Sequence, residues 1–343
     1  NSPVLHVFEL DVPDVEPWSA NAPTLYDIVL SHDGDTVSIP VGFRRVEVRE
    51  GVLLVNGHPE RLRGVRLRDV HPDFGHAIPI DIRHRDVELM KRAHINAVWF
   101  DGFPADPRWL ELCDRAGLYV VDEVNARERM GTAAEDDSIG ARVIGERARA
   151  MVGRDRNHPS VIAWSLDTDA TEDMVGWLRE QADLRLVLHR ADLGLDYRSD
   201  LRVTTSWPTI DDLTREGTAD RERGVLYGNL QHVSGNSFGG FSELWTTLVQ
   251  YPNLAGGFIS MWSDVEGGYA RGLVSGRRHQ RPALEEVRTV FLPLAFGLDD
   301  AEEGRYHLLN RYPVATLTGH RVAWDVQADG VAVLADTLSV GAI

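Results

Sequence analysis

The sequence predicts an α/β fold, a (β/α)8 TIM barrel flanked by partial β-sandwich segments, and three observations carry that prediction. From about residue 60 onward, apolar runs of strand length alternate with helical segments. They make eight β/α units within about 240 residues, the pattern of a closed parallel barrel. No glycine-rich turn follows the first of these strands, which disfavours the alternative, an open doubly wound sheet. On either side of the alternating region, short strand-like runs are broken by Pro, Asn and Asp-Gly turn signals. The division expected is a partial β-sandwich over 1–50, the barrel over 51–298 and a second partial sandwich over 299–343.

In chain order, Val4 to Leu10, Tyr26 to Leu30 and Val37 to Val41 read as strands, with Asp33-Gly34 as a turn. The barrel region opens with a strand over Leu62–Leu67. A helix over Asp81–Ala93 follows, with Val87, Leu89, Met90 and Ala93 on its apolar face. Then come a strand over 95–100, a helix over 107–116 stopped by Gly117, a strand over 118–121 and a helix over 139–156. A strand over 161–166 precedes a helix over 174–190. Weaker strands are expected at about 194–198 and 201–205. The last two units are a strand at 224–227 with a helix at 242–251, and a strand at 257–261 with a helix at 283–295. Beyond 300, the runs 306–309, 314–317, 321–326 and 331–334 return to β, with Asp329-Gly330 as a hairpin turn.

Composition narrows the function classes. The 343 residues are 43% hydrophobic and 26% charged, ordinary for a globular protein. A net charge of -17 argues against nucleic acid and anionic membranes as partners, since both need a basic surface. No stretch approaches the roughly 20 apolar residues of a membrane span. The single cysteine, Cys113, forms no intrachain disulfide and reads as a small buried hydrophobe. Asn1 rather than Met opens the chain and no signal-peptide pattern follows. The expectation is a fragment of a longer product, with the cytoplasm as its compartment.

Several segments stand in one order: Val15 to Ala20, Leu54 to Pro59, Leu62 to Val65, Asp86 to Lys91, Asn96 to Val98 and Leu118 to Glu123. Arg156 to Val161, Gly235 to Gly240 and Gly256 to Ile259 continue it. Together they resemble glycoside hydrolase family two of the bacterial β-galactosidase type, over nearly the whole chain. The resemblance implies that the flanking segments are immunoglobulin-like β-sandwiches, both cut short here. It also implies that the amino-terminal sugar-binding domain of such enzymes is missing.

The resemblance further implies where catalytic residues should stand, and several have been replaced. Retaining glycosidases use two carboxyl groups about 5–5.5 Å apart, one as nucleophile and one as acid/base. The family's Trp-Ser-Leu-Gly-Asn-Glu reads Trp164-Ser165-Leu166-Asp167-Thr168-Asp169, so the acid/base position is Asp169 and the substrate-binding Asn is Thr168. An aspartate sets its carboxyl back by about 1.5 Å, one carbon–carbon bond. A misplacement of about 1 Å costs on the order of a hundredfold in rate. The nucleophile stands three residues before a His retained as His232, so its position is Asn229, a neutral amide.

The Mg²⁺-binding Asn-x-Glu-x-His reads Asn125-Ala126-Arg127-Glu128-Arg129, and arginines cannot ligate a hard cation. No metal and no cofactor are therefore expected. After strand one the family's His-Glu-His region reads Arg66-Leu67-Arg68-Asp69-Val70-His71. After strand two, its Arg and transition-state His fall on Trp99 and Gly102, next to Asp101 and Phe103. Trp207 stands in place of a tyrosine. Trp262 and Asp264 are kept, but the preceding Trp-Asp is Ser260-Met261.

The changes gather at the carboxyl-terminal ends of the strands, where barrels carry their sites, while the framework is intact. Three readings follow. One is a non-hydrolytic binding or scaffold protein that stacks a sugar or other small molecule on Trp99, Phe103, Trp207 and Trp262. Another is a barrel repurposed to a new reaction through a charged mouth of Arg66, Arg68, Asp69, Asp101, Glu123, Arg127, Glu128, Asp167, Asp169, Asp264 and Glu266. In the bland version of this reading, these charges merely neutralise one another. The third is a β-glycosidase of altered mechanism using Asp169. A purely structural role and a homo-oligomer also stay open.

Overall fold

Alternation along each strand decides which side chains fill a barrel and which meet its helices. The structure is a computed structural model. It describes residues 10–125, 137–166, 172–181, 185–189, 199–219, 222–233, 238–264, 271–300, 302–311 and 321–339. The chain opens with an antiparallel hairpin, β1 (Tyr26–His32) and β2 (Asp35–Val41), closed at Asp33-Gly34. A small antiparallel sheet follows, β3 (Val46–Arg49), β4 (Val52–Val55) and β5 (His58–Pro59).

The barrel begins with β6 (Leu62–Leu67), α1 (Ile80–Arg92), β7 (Ala97–Phe100), α2 (Pro107–Ala116) and β8 (Tyr119–Glu123). It continues with α3 (Asp137–Asp155), β9 (Val161–Leu166), α4 (Glu172–Gln181), β10 (Leu186–His189), β11 (Arg202–Thr204) and α5 (Ile210–Thr218). It ends with β12 (Val225–His232), α6 (Phe241–Leu248), β13 (Leu254–Ser260) and α7 (Pro282–Val290). Two further hairpins follow, β14 (Leu294–Asp300) with β15 (Arg305–Asn310), and β16 (Arg321–Ala328) with β17 (Val331–Ser339).

The eight barrel strands are all parallel, in the order β10-β9-β8-β7-β6-β13-β12-β11. Between β10 and β11 the ladder gives way to hydrogen bonds between Val187 and Asp200. Asp200 N donates to Val187 O at 3.1 Å, and Val187 N donates to Asp200 Oδ2 at 2.7 Å. The sheet is thus a nearly closed TIM barrel, as the alternation predicts.

One set of side chains fills the barrel: Leu62, Ala97, Trp99, Tyr119, Val121, Ile162, Leu186, Val203, Leu226 and Phe258. Trp18, Ala20, Val46, Leu53 and Val55 join this cluster from the segments before β6, closing the end of the barrel where the strands begin. Gly64 lets Phe258 cross the interior, since a Cβ there would lie 2.3 Å from the Phe258 ring. Phe258 then meets Trp99 edge-on at 5.2 Å. The alternate residues, such as Val65, Val98, Val120 and Trp164, pack outward on Met90, Trp109, Leu178 and Val287 of the helices. Cys113 is fully buried in this outer layer, as the sequence predicts.

Three elements differ from the sequence prediction. The helix expected over 174–190 ends at Gln181, and Leu186–His189 is the fifth barrel strand. Met174, Leu178, Ala182 and Leu186 keep an i, i+4 spacing straight through the strand, and no Gly or Pro marks the change. Helix α5 was not anticipated, although Thr209 and Asp212 form a reciprocal capping box at its start. The last helix ends at Val290 rather than 295, and β14 follows at once. The strands expected at 194–198 and 314–317, and all but the last residue of 4–10, lie outside the described residues.

Candidate functional site

Parity in the first three barrel strands sends Arg66, Trp99 and Glu123 toward the barrel axis at the strands' carboxyl ends. Glu123 is fully buried and, among the described residues, accepts from Trp99, Gly102 and Ser165. Trp99 Nε1 donates at 2.8 Å, Gly102 N at 2.7 Å and Ser165 Oγ at 3.2 Å. Gly102 sits at φ 85°, a conformation that favours glycine, and this turns its N–H onto the carboxylate. Together these donors fix the orientation of the carboxylate. Gly102 thus contributes a backbone donor.

Beside this anchor lies a compact ion cluster. Asp101 is buried, with one carboxylate oxygen on Arg66 and the other on Arg68 Nε at 2.6 Å. The Arg66 guanidinium carbon lies 5.0 Å from the Trp99 ring centre, a cation–π contact, and Arg66 also reaches Gly228 O at 3.5 Å. The side chain of Arg68 is 39% exposed, so this arginine alone of the pair reaches solvent. Two guanidinium groups supply the positive charge here. Among the described residues no group of three or more His, Cys, Asp or Glu is placed to hold a metal ion. This pair of guanidinium groups around one carboxylate does not offer a hard cation the oxygen donors it needs.

At the end of β12 the pairing with β13 shifts register between Val225 and Tyr227 and again before Gln231. Such irregularities re-aim side chains next to barrel sites. Asn229 stands within this stretch. Its Nδ2 donates to Thr205 O at 2.7 Å, and its Oδ1 accepts from Ser260 Oγ at 2.6 Å. A carbonyl oxygen can only accept, so the Thr205 contact fixes the orientation of the amide. At the rim, the rings of Trp207 and His232 lie 4.7 Å apart, and Trp207 is 53% exposed.

Four sequence-nominated residues serve other roles. Trp99 and Trp262 are fully buried and cannot offer a stacking face, which corrects that expectation. Trp99 fills the barrel axis, while Trp262 packs in the outer layer and donates to Asp86 Oδ1 at 2.9 Å. Asp69 also turns outward, accepting from Trp109 Nε1 at 2.9 Å and Arg83 at 2.6 Å. Burial raises its pKa, opposed by those two donors. Asp264 is consumed by Arg281 and by the backbone N–H groups of Arg271 and Gly272. Asp69 and Asp264 therefore each already hold arginine and N–H partners.

Asn125 is half-buried, and its backbone oxygen accepts from Arg147 at 2.9 Å. Arg127, Glu128, Arg129, Asp167, Thr168, Asp169 and Glu266 lie outside the described residues. Sequence reasoning did not single out Ser165 and Thr205, which orient Glu123 and Asn229. Ser165 was visible within the Trp-Ser-Leu stretch, whereas Thr205 acts through its backbone and leaves no sequence signal.

Known proteins agree with the barrel. Residues 46–277 match the family described as glycosyl hydrolases family 2, TIM barrel domain. A β-galactosidase of Photobacterium profundum is 30% identical over 94% of this chain and 36% of its own length. Beta-galactosidase 2 of Enterobacter cloacae is 35% identical over 91% of this chain and 35% of its own length. The chain therefore spans about a third of the length of these relatives. Among solved structures, a β-galacturonidase of Eisenbergiella tayi bound to galacturonate superposes with a TM-score of 0.68. It is 22% identical, over 83% of this chain and 61% of that one. A β-glucuronidase of Dictyoglomus thermophilum does so at 0.68 and 18% identity, over 82% and 59%. These two show the shared fold. By its barrel and by the extent of these matches, this chain belongs to glycosyl hydrolase family 2.

Proposed function

We propose that this barrel binds a small molecule, a sugar or glycoside in the first instance, without retaining glycoside hydrolysis by a glutamate pair. The observation that carries the proposal is the amide of Asn229, which we read as standing at the family's nucleophile position by its spacing to His232. It has one donor and one acceptor contact, both made, and no anion with which to attack an anomeric carbon. The Arg66–Asp101–Arg68 cluster supports the same reading. It commits the Asp101 carboxylate at the strand ends to two guanidinium groups, which supports the loss of retaining hydrolysis. The net charge of -17 suits a small-molecule partner better than nucleic acid.

The division into a partial immunoglobulin-like sandwich over 1–50, a barrel over 51–298 and a second partial sandwich over 299–343 belongs to this proposal. So does the altered-mechanism alternative, in which Asp169 still acts as acid/base. Two measurements on the wild type and Asp169→Ala test the proposal together. One is turnover of aryl β-galactoside and aryl β-glucuronide; the other is thermal stability with galactose and with glucuronate. The expected result is a melting temperature raised by one of these sugars, with no turnover above background in either protein. Turnover that disappears in Asp169→Ala would overturn it in favour of the altered glycosidase. No sugar-dependent shift at all would leave a structural role.

A further inference from the structure

A cavity of about 430 Å³ lies at the opposite end of the barrel from the mouth, where the strands begin. Its volume falls within the range of small-molecule sites. Val52 of β4, Trp245 of α6 and Phe291, just after α7, give it an apolar wall. Trp245 and Phe291 meet edge-on with ring centres 4.7 Å apart, so this wall is fixed by its own packing.

Three arginines line the same cavity, Arg61 and Arg63 at the start of β6 and Arg311 just after β15. Arg61 donates from Nη1 to Val249 O and from Nη2 to Tyr251 O, both at 3.2 Å. These contacts dock it on the end of α6 and use two of its five N–H groups. Burial lowers its pKa, and among the described residues no acid opposes that shift. Arg311 is exposed, and its backbone N–H holds it to Pro293 O at 2.8 Å. Glu60 is the one acid among the described lining residues, and its carboxylate is occupied. It accepts from Arg61 N at 3.0 Å, Tyr119 Oη at 3.1 Å and Asn96 Nδ2 at 3.4 Å. In a chain of net charge -17, this lining sets three guanidinium groups against one carboxylate.

We propose that this cavity binds a small amphipathic carboxylate. Its hydrocarbon part lies against Val52, Trp245 and Phe291, and its carboxylate meets the guanidinium groups of Arg61 and Arg311. An arginine in an apolar wall gains from an anion that enters with it, because the pair offsets the cost of desolvating the charge. The site is independent of the sugar-binding proposal, since none of its residues belongs to the mouth.

The test is calorimetric titration of octanoate into the full chain, with hexanoate, octanol and octylamine as comparisons. Octanoate should bind saturably, one per chain. Hexanoate should bind about tenfold more weakly, because it buries two fewer methylenes. Octanol, without the charge, and octylamine, with the opposite charge, should both bind more weakly than octanoate. Arg311→Gln should weaken octanoate about twofold to fivefold, the range of one exposed ionic contact, and Arg61→Gln by more. Val52→Phe fills the cavity while both arginines stay, and should weaken it as well. Saturating galactose should leave the octanoate affinity unchanged. No saturable binding to the wild type would overturn the proposal. So would equal affinity for octanol or octylamine, displacement by galactose, or an unchanged affinity in both Arg311→Gln and Val52→Phe.

Discussion

Ser260 Oγ donates to Asn229 Oδ1 at 2.6 Å, while the other end of the same amide donates to the Thr205 carbonyl at 2.7 Å. The pair of contacts suits an amide and opposes a carboxylate, whose second oxygen would face a carbonyl oxygen at hydrogen-bond distance.

Replacing Asn229 by Asp keeps the shape and inverts that contact. The variant is expected to lose about 1–3 kcal/mol of stability at neutral pH, the penalty for an unmatched polar group in a partly buried site. The introduced acid sits against an acceptor, so its folded-state pKa is raised. Stability from a raised acid is present below the unfolded value, about 3.9, and is lost as pH rises through the folded one. Urea denaturation at pH 4 and pH 8 checks this. The deficit should be larger at pH 8.

A second pH dependence is native to the barrel wall. Asp122 alternates outward from Glu123 and is fully buried. Its pKa is raised well above the ordinary 3.8 by burial first, and then by the carboxylate of Asp155. Its Oδ1 accepts from Ala105 N at 2.8 Å, and Oδ2 has no partner among the described residues. The raised acid stabilises the fold at low pH and withdraws that stability as pH climbs above the unfolded value. Asp122→Asn should therefore melt higher than the wild type at pH 8, with the gap closing toward pH 5. Calorimetric scans at both pH values read the difference.

The Arg66–Asp101 pair should behave as a buried ion pair. Asp101→Asn leaves the Arg66 guanidinium without its carboxylate in a site 4% exposed, and is expected to cost about 3–5 kcal/mol. The double variant Arg66→Met, Asp101→Leu removes both charges and should recover most of that loss. Equilibrium denaturation of the single and double variants measures it.

Packing across the barrel gives a steric prediction. Gly64→Ala would set a methyl 2.3 Å from the Phe258 ring. A cost of about 1–3 kcal/mol is expected for such overpacking. Phe258→Leu in the same chain should relieve part of it, as read by denaturant midpoint.

Much of this architecture was legible in the sequence because the strand runs are short, apolar and bounded by turn residues. Leu62–Leu67 and Val161–Leu166 matched to the residue. The fifth strand was hidden because Leu186 continues the four-residue spacing of the helix before it. At the site, the spacing to His232 assigns Asn229 to the family's nucleophile position as an expectation. Which way each tryptophan points could not be placed, since Trp99 and Trp262 differ only in strand parity and packing. Asp69 and Asp264 looked like mouth carboxylates, but their arginine and indole partners come from α1, α2 and the start of α7, which no local pattern announces.

The central claim, that the chain forms no glycosyl-enzyme at the Asn229 position, is tested most directly by trapping. The wild type is incubated with 2,4-dinitrophenyl 2-deoxy-2-fluoro-β-galactoside and with its β-glucuronide counterpart, and its intact mass is then measured. The account predicts an unmodified mass and no burst of dinitrophenolate. A mass increase of one fluoroglycosyl unit, mapped by peptide sequencing to a carboxylate in the barrel mouth, would contradict it.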